Sequence, residues 1–232
     1  MCKNITKGFF MFIVNWIVKL LSATLGQWSL PYVEKKFNLN HYFKIEKELS
    51  KLDVPFAIGV VTTYGHGSNI LIHAAQLLSK DKRKRKSNKT HALAIIENKN
   101  GKFRTVESIG NGIQEVSFLS SIGNRDEVKI RIPNKSLVNN EVAKHALEYI
   151  KQVAERDFEE NVAYDLEHDL LDQKRYDCSE VIFHALNHGF EMTGQKALTK
   201  TVKRGGKVSW APVEAEFSKL FVDLYDSKKG FI

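Results

Sequence analysis

The chain has 232 residues, 43% hydrophobic and 27% charged, with a formal net charge of +8. That profile suits one large or two small packed domains and excludes a disordered or fibrous chain. The positive balance points to an acidic partner: an anionic membrane face, a cell-wall polymer or nucleic acid.

Lys3 and Lys7 precede an apolar segment, Phe9 to Leu21, like the charged start and apolar middle of a signal peptide. Asn15, Lys19 and Ser22 interrupt it at i, i+4, i+7 and form one polar stripe. The uninterrupted run falls short of the ~20 residues a spanning helix needs. An amphipathic helix is expected, docked on the domain or lying on a membrane surface. A cytoplasmic or peripheral-membrane location is therefore favoured over export.

Gln27 to Leu52 reads as helical, with Leu39, Tyr42, Ile45, Leu49 and Leu52 as its apolar stripe. Phe56 to Thr62 is apolar and β-branched, a strand. Gly67-Ser68-Asn69 follows as a turn, and Ser68 or Asn69 can cap a helix over Ile70 to Leu78. Lys80 to Lys89 holds seven basic residues against one acid. It is expected as a solvated loop; the sharper reading is contact with an anionic partner. No aromatic residue interleaves it, so nucleic acid is not expected.

His91 to Glu97 and Lys102 to Ile109 read as a hairpin about Asn98-Lys99-Asn100-Gly101. Folding back about this turn puts His91 opposite Glu107 or within about two residues of it. Glu115 to Ile122 is a short strand or turn, and Val128 to Ile132 a half-buried strand ended by Pro133. Asn139 or Asn140 caps a long amphipathic helix with Val142, Leu147, Ile150, Val153 and Ala154 inward. Asp157 to Lys174 is acidic and irregular. Val213 to Tyr225 is expected as an amphipathic helix.

Arg175-Tyr176-Asp177-Cys178-Ser179-Glu180 runs into an apolar-periodic helix that is expected to end at Asn187 to Gly189. Cys178 is expected in its first turn. A thiol there faces unpaired N–H groups and the positive end of the helix dipole, which favour the nucleophilic thiolate. The chain's other cysteine, Cys2, has no such setting. Two cysteines make no disulfide framework, and no Cys/His spacing suggests zinc. His184 and His188, at i, i+4, read as helix-surface histidines. Thiol-based hydrolysis needs a thiolate, a histidine base and a group that orients the histidine. Cys178, His91 and Glu107 are candidates for those roles.

The chain resembles the circularly permuted, NlpC-like (YiiX-like) papain-fold cysteine hydrolases, roughly over Asp53 to Gly189. Four stretches match in order. They are Ile58-Gly59-Val60-Val61-Thr62-Thr63 with Gly67-Ser68-Asn69; Thr90-His91-Ala92-Leu93-Ala94-Ile95; Val106-Glu107-Ser108-Ile109-Gly110-Asn111-Gly112-Ile113; and Val162-Ala163-Tyr164-Asp165-Leu166 with Tyr176 to Val181. Three departures stand out: Val60 where the family usually has Asp, Leu93 where it usually has Gly, and a long basic loop before His91. The resemblance implies an α+β fold, an antiparallel sheet packed against the cysteine helix. Residues 53–232 would be the hydrolase domain, and 1–52 an N-terminal helical extension, possibly facing a membrane. It implies Cys178 as nucleophile, His91 as base and Glu107 as orienter. Tyr164 would lie near the oxyanion position, with Tyr176 and Ser179 beside the substrate. The N–H of Cys178 would be an oxyanion donor. The implied reaction is cleavage of a peptide or isopeptide bond, cell-wall peptides included, with no cofactor and no metal. Lipid-directed acyl hydrolysis or transfer is the alternative within the family. A non-catalytic binder of an anionic partner is the alternative outside it.

Overall fold

A computed structural model describes residues 41–62, 72, 82–98, 100–109, 112–123, 125–160, 165, 170, 175–204 and 207–232. The Phe9 to Leu21 segment, the Gly67-Ser68-Asn69 turn and Tyr164 lie outside these residues, as does most of Ile70 to Leu78.

The described elements begin with helix α1 (Tyr42–Leu49), strand β1 (Phe56–Thr62) and a single helical turn, α2 (Lys82–Arg85). Strands β2 (His91–Glu97), β3 (Phe103–Ile109) and β4 (Gly112–Ser117) follow, then α3 (Phe118–Gly123), β5 (Glu127–Pro133), α4 (Asn140–Glu160) and α5 (Glu180–Met192). Next come β6 (Val202–Arg204), β7 (Lys207–Ser209), α6 (Pro212–Phe217), β8 (Phe221–Asp226) and β9 (Gly230–Phe231). Seven strands form an antiparallel sheet in the order β4-β3-β2-β1-β5-β8-β9, while β6 and β7 pair separately. The fold is α+β.

The sheet is covered on both faces, which explains why β1 is buried at every position. Phe56, Ile58 and Val60 pack with Ala92, Ala94 and Ile96 against α4 and α5. Ala57 and Val61 pack with Leu93 and Ile95 against Ile45 and Leu49 of α1 and Phe118 and Ile122 of α3. Gly59 and Leu93 are direct partners, and a Cβ on Gly59 would lie 2.6 Å from Leu93 Cδ1. Leu93 therefore fills the space that Gly59 leaves.

Local chemistry sets the turns and caps. Asn98 Oδ1 accepts from the N–H groups of Asn100 (2.9 Å) and Lys102 (3.0 Å), and Gly101 takes φ +70°. Asn139 caps α4, its Oδ1 accepting from Val142 N at 2.9 Å.

Three expectations are corrected. Helix α5 does not stop at Asn187 to Gly189 but runs to Met192, with Gly194 at φ +65° just beyond. Gly189 is there for close approach: a Cβ on it would meet the Val142 carbonyl oxygen at 2.3 Å. Val213 to Tyr225 is not one helix. It divides into α6 and β8, and the Arg131 guanidinium binds the carbonyls of Ala215 (2.8 Å), Ser218 (2.9 Å) and Phe221 (2.6 Å) across the break. A helix through this segment would turn those carbonyls inward to its own N–H groups. The basic run is not wholly solvated. Its α2 turn sits near α6, Lys84 bonds Glu214 at 3.1 Å, and Lys89 is buried on Glu127 at 3.2 Å.

Gly189→Ala should lower unfolding stability by about 1–3 kcal/mol, because backbone must move to admit the methyl group. Gly59→Ala should cost less, since its obstacle is the end of a leucine side chain. Urea denaturation monitored by circular dichroism checks the ranking.

Candidate active site

His91 opens β2, and Glu107 lies on the neighbouring strand. The ladder pairs Ala94 with Val106. Continued along the strands, it puts Glu107 two residues along from His91, within the expected interval. Both side chains are buried, Glu107 to 2% exposure. His91 Nε2 donates to Glu107 Oε2 at 2.7 Å.

The carboxylate is held at both oxygens. Arg125 Nη2 donates to Oε2 at 2.8 Å. Ser121 Oγ (3.2 Å) and Gln114 Nε2 (3.4 Å) donate to Oε1. Burial opposes ionisation of Glu107. The bond and charge of His91, the Arg125 charge and the Ser121 bond outweigh it and hold the pKa at about 2. Burial lowers the pKa of His91; Glu107 opposes that, and Arg125 reinforces it. Neutral imidazole facing an ionised carboxylate must carry its proton on Nε2. That leaves Nδ1 as the basic nitrogen.

Cys178 is buried at 3% exposure in the turn that leads into α5. The regular helix starts at Glu180, two residues later than expected, with Ser179 preceding it. Hydrogen bonds nevertheless extend the capped turn back to Asp177. Asp177 Oδ1 accepts from the N–H groups of Ser179 (2.7 Å) and Glu180 (2.9 Å), and Glu180 Oε2 accepts from Asp177 N at 2.8 Å. This reciprocal capping box fixes the two residues it encloses, Cys178 and Ser179. Its Asp-x-x-Glu spacing is the signal in the sequence that marks this turn. Arg125 and Ser121 left no comparable signal, because they reach Glu107 only through the tertiary path of α3.

The turn is tied to the strands at one end. Ser108 Oγ, next to Glu107 in β3, donates to the Tyr176 carbonyl at 2.6 Å. The Asp177 carboxylate lies near enough to His91 to favour its charged form, against the burial that lowers its pKa. Strand alternation separates the two sides. Ala92 and Val106 face α4 and α5, so His91 and Glu107 face the α1 and α3 side, where Ser121 and Arg125 meet Glu107. Tyr176 and Val181, on either side of Cys178 in the chain, pack in the cluster on the α4 and α5 side.

Tyr176 and Ser179 are fully buried. The Tyr176 hydroxyl lies 3.2 Å from the Tyr149 hydroxyl and accepts from Arg156 Nη2 at 3.2 Å. Ser179 Oγ lies 2.9 Å from Asp177 Oδ1 and 2.5 Å from the Trp210 carbonyl. Its single proton serves one of them at a time. His184 is not on the helix surface, as expected, but buried. Its ring lies edge-on to Tyr176 and Phe183, and its Nε2 has no hydrogen-bond partner among the described residues. The near-complete burial of α5 accounts for this. His188 is half-buried, its ring 5.2 Å from that of Tyr149. Among the described residues no group of three or more His, Cys, Asp or Glu could hold a metal, and no helix is long and apolar enough to cross a membrane.

Folded Glu107 titrates near 2 against an ordinary 4.5. Its stabilising contribution is therefore complete above pH 4.5 and lost as pH falls through about 2. Between those limits the natural chain should lose on the order of 3 kcal/mol more than Glu107→Gln. His91, with its pKa lowered from 6.5, adds a loss that begins as pH falls below 6.5. Urea titrations across pH 2–7 check both slopes.

No protein-family model, no curated protein and no solved structure matches the chain.

Proposed function

We propose that this chain is a thiol hydrolase of permuted papain-like (NlpC-like) architecture. It cleaves an amide bond, peptide or isopeptide, through Cys178, His91 and Glu107. The observation that carries the reading is the buried His91–Glu107 pair, with Nε2 committed to the carboxylate and Nδ1 left basic. The capping box that presents Cys178 and the Ser108 bond that ties its turn to β3 support it.

His91 Nδ1 takes the Cys178 Sγ proton, and the thiolate attacks the substrate carbonyl. The tetrahedral oxyanion is met by the Cys178 N–H, an interaction type often worth about 3 kcal/mol in the barrier. Collapse breaks the C–N bond. The imidazolium returns its proton to the leaving amine, and a thioester remains on Cys178. Water, deprotonated by the same Nδ1, attacks the thioester and releases the acid, and the proton returns to Sγ. Glu107 keeps the imidazole in register and stabilises its charged form.

A cysteine-reactive acyl probe should label Cys178, and folded Cys178→Ala should lose labelling and turnover. Turnover undiminished by that substitution would end the assignment. His91→Ala should cost nearly as much, because nucleophile and base act as a unit. Glu107→Gln should cost less, since it leaves both in place.

The pH–rate profile gives a second test. A base with its pKa lowered from 6.5 should show its acid limb below that value. Arg125 opposes protonation of His91, so Arg125→Met should move the limb to higher pH. A limb that stays put in the folded variant would remove His91 from the base role.

A further inference from the structure

A cleft about 350 Å³ in volume lies between α2, α6 and the segment before β6. That volume is at the lower end of small-ligand sites. Its wall is apolar: Trp210, Leu137, Leu198, Phe217 and Leu220. Trp210 and Leu220 are buried, while Leu198 is 43% exposed, so the apolar wall opens to solvent on one side. Four cations also line it, Arg83, Lys84, Lys200 and Lys219, against one carboxylate, Glu214. That carboxylate is already engaged by Lys84 at 3.1 Å and by the Ala211 N–H at 2.9 Å. Arg83 lies over the Phe217 ring, 5.5 Å from its centroid. Lys200 and Lys219 are exposed, and neither makes an ion pair among the described residues.

We propose that this cleft binds an amphipathic organic monoanion, its carboxylate or phosphate head between Lys200 and Lys219 and its apolar body against Trp210 and Leu198. The excess of cations selects the sign of the head. The apolar wall rewards a chain and gives a bare anion nothing to cover. Such an anion has two sources, a soluble amphiphile and a lipid headgroup in a bilayer. The site is separate from His91 and Glu107, so its occupancy does not depend on the chemistry proposed for them.

Isothermal titration of the full chain with octanoate tests the site, with octanamide and acetate as the uncharged and chainless controls. Octanoate should bind at least tenfold more tightly than either. Lys200→Glu combined with Lys219→Glu should weaken it at least tenfold, and the exposure of both residues leaves the fold intact. Leu198→Asn should weaken octanoate and leave acetate unchanged. Sedimentation with phosphatidylglycerol vesicles separates the sources. Pelleting that octanoate competes away and the double reversal abolishes assigns the cleft to a bilayer headgroup. Octanoate binding without pelleting assigns it to a soluble amphiphile. Octanamide binding as tightly as octanoate, octanoate affinity unchanged by the double reversal, or neither octanoate binding nor competable pelleting would overturn the proposal.

Discussion

One buried carboxylate organises this end of the molecule. Removing an ionised group from water is costly unless charge and hydrogen bonds replace the lost hydration. Glu107 meets that demand with donors from four places: His91 on β2, Gln114 on β4, Ser121 in α3 and Arg125 beyond it. Each donor is thereby held as well. The imidazole cannot rotate without losing its Nε2 bond, and α3 cannot leave the sheet without stranding a negative charge. The tautomer of His91 follows from the same condition.

Much of this was legible locally. Asn98 to Gly101 has the composition of a tight turn, and the fold-back it implies is enough to bring His91 near Glu107. The strands Phe56–Thr62 and His91–Glu97 fall where their β-branched and apolar runs predict. The inward positions of α4 follow the 3.6-residue period, and the five residues expected to face inward are all buried. These signals survive because local preference and tertiary burial agree there.

The misread segments are those where a distant group decides. The apolar residues of Val213 to Tyr225 suit a helix by spacing. Yet Arg131, more than eighty residues earlier in the chain, captures the carbonyls at the break, and β5 offers β8 an open edge. Phe221 and Tyr225 lie in the clusters on opposite faces of the sheet, whereas a helix would put residues four apart on one face. The basic run looks solvated until Glu127, Glu214 and Glu216 are brought beside it by β5 and α6. Gly189 looks like a terminator until α4 is seen against it. Composition cannot report any of these partners.

Layering restricts how the proposed chemistry can proceed. His91 and Glu107 face one side of the sheet, and the helix that follows Cys178 packs on the other. In the middle of a strand those two sides would be isolated from each other by the ladder. His91, however, is the first residue of β2, and Cys178 precedes the regular start of α5. At the end of a strand a side chain is approachable around the backbone from either face. The same end of β3 carries Ser108, whose bond to the Tyr176 carbonyl draws the cysteine turn to that corner. Asp177, between Tyr176 and Cys178, already influences the His91 imidazole from there. A thiol reaching Nδ1 must therefore pass the first residue of β2, so the strand end, not the sheet face, is where this reading locates the reaction.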